Sequence, residues 1–539
     1  MKLNRKSLLN NSWWENANIE LPKYDIDKMV SKTKNTPSWV HFGAGNLFKS
    51  FIAVIPDTLL NKQITDTGII AVETYDLEIV EKVYKEYDNL GLLIYMNSDG
   101  SLKKKVVGSV AECLAIEPST KVEWDRLKEI FTKPSLQMVS FTITEKGYAL
   151  KDISGNYYPD VKNDIENGPE QTRHIISKVA SLLYIRYLEG ELPIAFVSMD
   201  NCSKNGDILG NSVRTIAKEW VERDMVEAEF LEYLNNPAKV SFPLTMIDKI
   251  TPRPSEKVRS ELSKLGFEST EILCTDKKTF IAPFVNTETA EYLVIEDNFP
   301  NGRMPLEKAG VLFADRDTVN LAEKMKVSTC LNPLHTALAI FGCLLGYQSI
   351  AEEMKDLHLK KLVEKIGRVE GLPVVSDPMI LNPDDFIDEV LNVRFPNPYI
   401  PDTPQRIATD TSQKIPVRFG ETIKAYYENP QFEVKKLLYI PLVIAGWCRY
   451  LMGLDDKGES MDLSPDPMME ELKTHIERLE FGNPNSVGDN LQPILSNKKV
   501  FGLDLYSVGL GEKVEGYVKE MIIGKYAVRN LLERMINFF

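Results

Sequence analysis

Three side chains suited to proton transfer and oxyanion binding lie close together in Lys326-Val327-Ser328-Thr329-Cys330-Leu331-Asn332-Pro333-Leu334-His335. A lysine of lowered pKa can take a proton from an alcohol, an asparagine amide can stabilise the alkoxide left behind, and a histidine can orient the oxygen. Asn332-Pro333 reads as an N-cap and N1 pair, so the spacing predicts a helix start there, with His335 on its first turn. Glu323 precedes Lys326 by three residues and shares its face if one helix carries both; it then tunes the lysine, relays its proton, or is a surface partner only. Singly, each residue also has a plain structural reading: a capping Asn, a core His, a solvated Lys.

Hydride chemistry needs a cofactor, and the first half of the chain carries a dinucleotide pattern. Ser38–Phe42 is a short apolar run leading into Gly43-Ala44-Gly45-Asn46-Leu47-Phe48, then a helical pattern, then Gly68–Val72 ending in Glu73. Two glycines allow a tight turn and let a pyrophosphate approach the helix start. The third glycine of the fingerprint is replaced by Phe48, and an ordinary strand–helix turn is the competing reading. Glu73 would accept the ribose hydroxyls and repel a 2′-phosphate, favouring NAD over NADP. It lies somewhat further on than the roughly 20 residues of the usual fingerprint, with Asp76 as the alternative. Gly43, Gly45, Asn46, Phe48, Glu73 and Thr144 are the expected cofactor contacts.

Thr144-Glu145-Lys146-Gly147-Tyr148 and Asp200-Asn201 follow buried strands, whose C-terminal ends face the ligand crevice of an open parallel sheet. The first is a binding loop or a plain turn; the second offers the Asn201 amide to a carbonyl or caps the next helix. Arg406, Lys414 and Arg418 form a local basic group in an otherwise acidic chain, either a solvated helix face or donors for a substrate carboxylate.

These residues must be positioned by two kinds of domain. Strands alternate with helices up to the breaker cluster Asn298–Pro305, implying a parallel sheet covered on both faces. Beyond it helical patterns dominate, among them 317–328, 333–347, 403–413 and 417–428. The expected fold is α/β: a Rossmann-type domain over 1–300 and a mostly α-helical domain over 301–539. Leu92–Met96, Lys103–Val110 and Val240–Ile250 read as strands, and 151–168 as a polar insertion. The 539 residues are 43% hydrophobic with a net charge of −14, which argues against disorder and against a nucleic-acid partner. Six scattered cysteines without a CxxC suggest reduced thiols in the cytoplasm. No HExxH or HxH marks a metal site. The N-terminus lacks a signal-peptide core, and the apolar stretches Leu334–Tyr347 and Leu437–Met452 read as buried helices, not membrane spans.

His41–Phe48, Thr144–Tyr148, Asp200-Asn201, Met246–Pro252 and Lys326–His335, in this order, resemble the polyol-specific long-chain dehydrogenases, a family of mannitol 2-dehydrogenases, fructuronate reductases and tagaturonate reductases. The resemblance runs from about residue 38 to beyond 420. It implies a metal-independent NAD enzyme with its site between a Rossmann and a helical domain. It makes Lys326 the general acid/base, Asn201 and Asn332 the oxyanion amides, His335 the substrate-orienting histidine, Arg406 and Lys414 the substrate-binding pair, and Glu323 a helper acid. The family spaces lysine and asparagine by four residues; here five intervene, implying a bulge or a helix restart at Pro333, with Lys324 as the alternative lysine. The chain is most like the branch interconverting D-mannonate and D-fructuronate. Mannitol/fructose and altronate/tagaturonate are the other sugar readings, and an NAD-binding scaffold the non-enzymatic one. Oligomeric state is not specified by these motifs.

Overall fold

The computed structural model describes every residue except Pro118, Ser119, Ser269 and Phe539. Two compact units emerge: Met1–Asn97 with Ser101–Asn320, and Ser98–Gly100 with Leu321–Phe539. The division falls later than residue 300, because Leu312–Ala314 still pairs with Tyr292–Glu296 as a strand of the first unit.

The first unit is built on six parallel strands: β1 Trp39–Phe42, β2 Ile69–Glu73, β3 Val110–Ala115, β4 Met138–Phe141, β5 Ile194–Ser198 and β6 Val240–Ser241. Their spatial order is β3-β2-β1-β4-β5-β6, that of a doubly wound dinucleotide-binding sheet. Successive side chains point to opposite faces, and both faces are apolar. Val40, Phe42, Ile70, Val72, Val139 and Phe141 enter one core with helices Lys121–Phe131, Ile175–Leu188 and Asn205–Val221. Trp39, Ile69, Ala71, Met138, Ala195 and Val197 enter the other, with Phe48, Ile52 and Leu59. Burial on both faces is why these strands read as near-continuous apolar runs.

Two expected strands are each broken. The run Lys103–Val110 divides at Gly108-Ser109: Leu102–Val107 pairs antiparallel with Gly91–Met96 in a second sheet, whereas Val110 opens β3. The fully buried Asp57 carboxylate fixes this break. It accepts from Gly108 N (3.1 Å), Tyr24 Oη (2.7 Å) and Lys105 Nζ (2.7 Å). The run Val240–Ile250 breaks at Pro243, which has no N–H for a ladder; Thr245–Asp248 pairs antiparallel with Tyr292–Glu296 instead. The insertion 151–168 contains the helix Pro159–Asn167.

Among the described residues the second unit is mostly helical. Helix α1 Arg316–Met325 crosses into it and continues through the π turn Lys326–Cys330 into α2 Asn332–Leu345. Leu331 N donates to Lys326 O at 3.1 Å, five residues back, and His335 N to Leu331 O at 3.0 Å. Leu331 lies outside the helical region (φ −126°, ψ −63°), so the π turn is followed by a restart, at Asn332 and not at Pro333; Asn332 is the first helical residue, not a cap, with no capping hydrogen bond. The joined helix Arg316–Leu345 has 30 residues, long and apolar enough by length and composition to cross a membrane, with 83% of its apolar window buried inside the protein.

Small residues let other helices approach α2. A Cβ on Gly446, in the wholly buried helix Tyr439–Tyr450, would lie 3.3 Å from Ile340 Cγ2. A Cβ on Gly342 would lie 2.8 Å from Pro404 Cγ and 2.2 Å from Glu353 Oε1. Pro404–Ile407 carries Arg406, so this close approach helps place that guanidinium relative to the α2 residues.

Candidate active site

In the first unit the turn after β1 is set by two glycines with different tasks. Gly43 has φ +102° and donates to Val72 O at 2.8 Å; a Cβ there would lie 2.2 Å from Thr142 O. Gly45 faces open space, since a Cβ on it would meet nothing within 4 Å. An anionic ligand approaching Gly45 meets bare backbone at the start of a helical segment, the arrangement that suits a pyrophosphate. Asn46 is half-buried beside it.

Phe48 and Glu73 are not where the sequence put them. Phe48 is fully buried and stacks on His41, with ring centroids 4.8 Å apart and planes at 18°. It supports the turn from beneath and does not line it, because its aromatic volume fills the helix–sheet gap that a glycine would have closed. His41 is buried between Ser140 Oγ (2.6 Å) and Thr142 Oγ1 (2.9 Å). Glu73 is buried too. Its Oε2 accepts from Ala44 N (2.9 Å), and its Oε1 from Thr74 N (2.9 Å), Tyr75 N (2.8 Å) and Asp76 N (3.3 Å). The carboxylate is engaged by backbone amides and joins the Gly turn to the end of β2. Asp76, the alternative, is buried and accepts from Thr275 Oγ1 at 2.6 Å.

At the ends of β4 and β5, Asp200 does not cap the next helix. It accepts from Ile143 N (2.9 Å), Thr144 N (3.1 Å) and Tyr148 Oη (2.6 Å), and thereby shapes the short helix Thr144–Tyr148. Burial raises the Asp200 pKa against the pull of these donors. Thr144 is held at φ +64°, an unusual conformation for a β-branched residue and a local reservoir of strain. Asn201 follows Asp200 and is exposed.

In the second unit the π turn separates the two lysines. Lys326 is only 2% exposed, whereas Lys324 is half-exposed and paired with Glu421 Oε2 at 3.1 Å. The turn itself is held by Ser328, whose Oγ donates to Lys324 O (2.6 Å) and whose carbonyl accepts from Thr422 Oγ1 (3.2 Å). A π turn takes up one extra residue within a helical path, and this accounts for the extra residue before Asn332. Glu323 is half-buried, one turn before Lys326.

His335 sits in a cationic cluster. Its ring stacks obliquely on Phe395 at 5.1 Å. Its Nε2 lies 3.4 Å from Asp402 Oδ2 yet makes no hydrogen bond, leaving a buried ring nitrogen unspent. Asp402 also holds Arg406. Arg418 Nη1 donates to Thr336 Oγ1 at 2.5 Å, and Lys414 Nζ donates to Ile407 O at 3.2 Å and to Thr409 O. Burial first, then Arg418, Arg406, Arg394 and Lys414, push the His335 pKa down to about 3, so the imidazole is neutral. Burial also lowers the Arg418 pKa to about 10 and shifts that of Lys414 downward. Asp402 and Arg394 were missed in the sequence. The only local signal was the i,i+4 spacing of Asp402 to Arg406.

His41 is likewise held down to about 3 by burial. Both histidines take up a proton in the unfolded chain, near pH 6.5, before they do so in the folded one. Their contribution to stability is complete above about pH 6.5 and is lost as pH falls toward 3. Each accounts for up to roughly 1.4 kcal/mol per pH unit in that window. In urea unfolding at pH 7 and pH 5, His335→Asn should lose less stability than wild type between the two pH values, by on the order of 2 kcal/mol. An identical loss in wild type and variant would refute the buried neutral histidine.

Comparison with known proteins bears on both units. The Mannitol dehydrogenase Rossmann domain matches residues 37–308, and the Mannitol dehydrogenase C-terminal domain residues 319–522. A D-mannonate oxidoreductase of Thermotoga maritima is 54% identical over 538 residues, 99% of each chain. A mannitol 2-dehydrogenase of Neosartorya fischeri is 29% identical over 94% of each chain. The Pseudomonas fluorescens mannitol 2-dehydrogenase, solved as a ternary complex with NAD and D-mannitol, is 25% identical; the match covers 99% of this chain and 100% of that one, with a TM-score of 0.69.

Proposed function

The chain belongs to the mannitol dehydrogenase family, and we propose that it is the NAD-dependent oxidoreductase of that family that interconverts D-mannonate and D-fructuronate. The reaction is D-mannonate + NAD⁺ ⇌ D-fructuronate + NADH + H⁺. The observation that carries this reading is the 54% identity to a D-mannonate oxidoreductase across 99% of both chains, against 29% for a mannitol 2-dehydrogenase. The cluster of Arg394, Arg406, Lys414 and Arg418 near His335, with Asp402 as its close carboxylate, supports an anionic substrate over a neutral one.

The Gly43–Gly45 turn would hold the pyrophosphate, with Asn46 and Thr144 nearby on the ligand-facing end of the sheet. NAD, when bound, supplies the two-electron acceptor. Lys326 takes the hydroxyl proton during oxidation and returns it during reduction, and Glu323 helps relay it. Asn332 gives an amide to the oxygen as charge develops, the role the sequence also assigns to Asn201. Neutral His335 accepts or donates one hydrogen bond through its unspent nitrogen and orients the same oxygen. Arg406 and Lys414 hold the carboxylate. Six free cysteines suit the reducing cytoplasm.

NADH oxidation with D-fructuronate, D-tagaturonate and D-fructose tests the assignment. D-fructuronate is expected to give the highest kcat/KM, by at least about tenfold, a margin of roughly 1.4 kcal/mol in transition-state binding. D-fructose as the best substrate would move the chain to the polyol branch.

A further inference from the structure

With Glu73 engaged by backbone amides, the far end of the dinucleotide site needs other partners, and the same turn offers one. Tyr75 lies two residues beyond the end of β2 and is 67% exposed. Lys277 Nζ stands 5.2 Å from the centre of its ring. Lys277 belongs to the hairpin of Leu273–Cys274 and Phe280–Ile281, which is fastened to the Tyr75 turn at two points. Thr275 Oγ1 donates to Asp76 Oδ2 at 2.6 Å, and Asp276 N to Glu78 Oε1 at 2.9 Å. Just past the hairpin, Ala282 O accepts from the buried Lys49 Nζ at 3.2 Å, and Lys49 belongs to the π turn Phe48–Ile52 that follows Gly45. The hairpin is thus tied to both sides of the nucleotide-facing edge.

An aromatic ring held in place by a cation yet left this exposed gains little from packing. It lies at the C-terminal end of the second strand of a doubly wound sheet, where the adenosine half of a dinucleotide is received. We infer that Tyr75 is the platform on which the adenine of NAD stacks, and that hairpin 273–281 is the clamp that holds this platform. The inference rests on the reading of the chain as an NAD enzyme, and it adds residues that the Gly-turn fingerprint does not contain.

Titration of the whole protein with NADH, followed by nicotinamide fluorescence, tests it without turnover. Tyr75→Ala should weaken NADH about tenfold, within the range for loss of one base–aromatic stack. Tyr75→Phe should remain within about twofold to threefold of wild type, because the stacking face is kept. Reduced nicotinamide mononucleotide, which lacks adenosine, should bind wild type and Tyr75→Ala alike. Unchanged NADH affinity in Tyr75→Ala, or an equal loss for the mononucleotide, would overturn the inference while leaving the family function intact. A wild-type protein that binds no NADH would overturn the proposed function, and the inference with it.

Discussion

Lys326→Ala is expected to lower kcat for D-fructuronate reduction by about 10²–10⁴-fold, the usual contribution of a positioned general acid. NADH affinity should stay within about twofold, since Lys326 lies in the second unit and the Gly turn in the first. Lys324→Ala is the control. Its ammonium is half-exposed and paired with Glu421, an arrangement worth about 0–1 kcal/mol, so turnover should be close to wild type. The contrast depends on the π turn. In an uninterrupted helix one more residue would swing the lysine about 100° around the axis relative to Asn332. The i→i+5 bond from Leu331 N to Lys326 O absorbs that residue locally. Steady-state kinetics on the two variants decide the matter: full activity in Lys326→Ala, or inactivity in Lys324→Ala, would assign the proton to another group.

The second large effect separates two glycines that the sequence presents as equivalent. Gly43→Ala should destabilise the first unit by roughly 3 kcal/mol or more and abolish NADH binding. The left-handed conformation alone costs about 1–2 kcal/mol for an L-residue. The new Cβ would also lie 2.2 Å from the Thr142 carbonyl oxygen, a backbone atom that cannot rotate away. Gly45→Ala should leave stability within about 0.5 kcal/mol, because its Cβ enters open space and surface changes of this kind are usually that small. Its NADH affinity should nevertheless fall, because the methyl group occupies the approach to the backbone. Urea unfolding and NADH titration on the pair separate the two roles. Unchanged NADH affinity in Gly45→Ala would show that the open space at Gly45 is not a ligand approach, and equal stability losses in both variants that the space is not open.

The sequence by itself determined the larger plan: a parallel sheet whose strands are apolar on both faces, a Gly turn after the first of them, and a helical second half. It also determined which residue types were available for chemistry. These features are local, since periodicity and turn chemistry act over a few residues. Only the tertiary structure decided their assignments, because each depends on groups distant in the chain. Glu73 is as suited to a ribose as to an amide until Ala44 and the residues after it fold onto its carboxylate. Phe48 lines a site or supports it according to whether His41 lies beneath. Val240–Ile250 and Lys103–Val110 each look like one strand, and become two when Pro243 interrupts the ladder and when buried Asp57 captures Gly108. Arg394 and Asp402 carry no motif; they come near His335 only when Phe395 packs on its ring and Pro404–Ile407 packs on α2. The one-residue excess between Lys326 and Asn332 was plain in the sequence, but that it is taken up by a π turn and a restart at Asn332 was settled by where the amide of Leu331 found its acceptor.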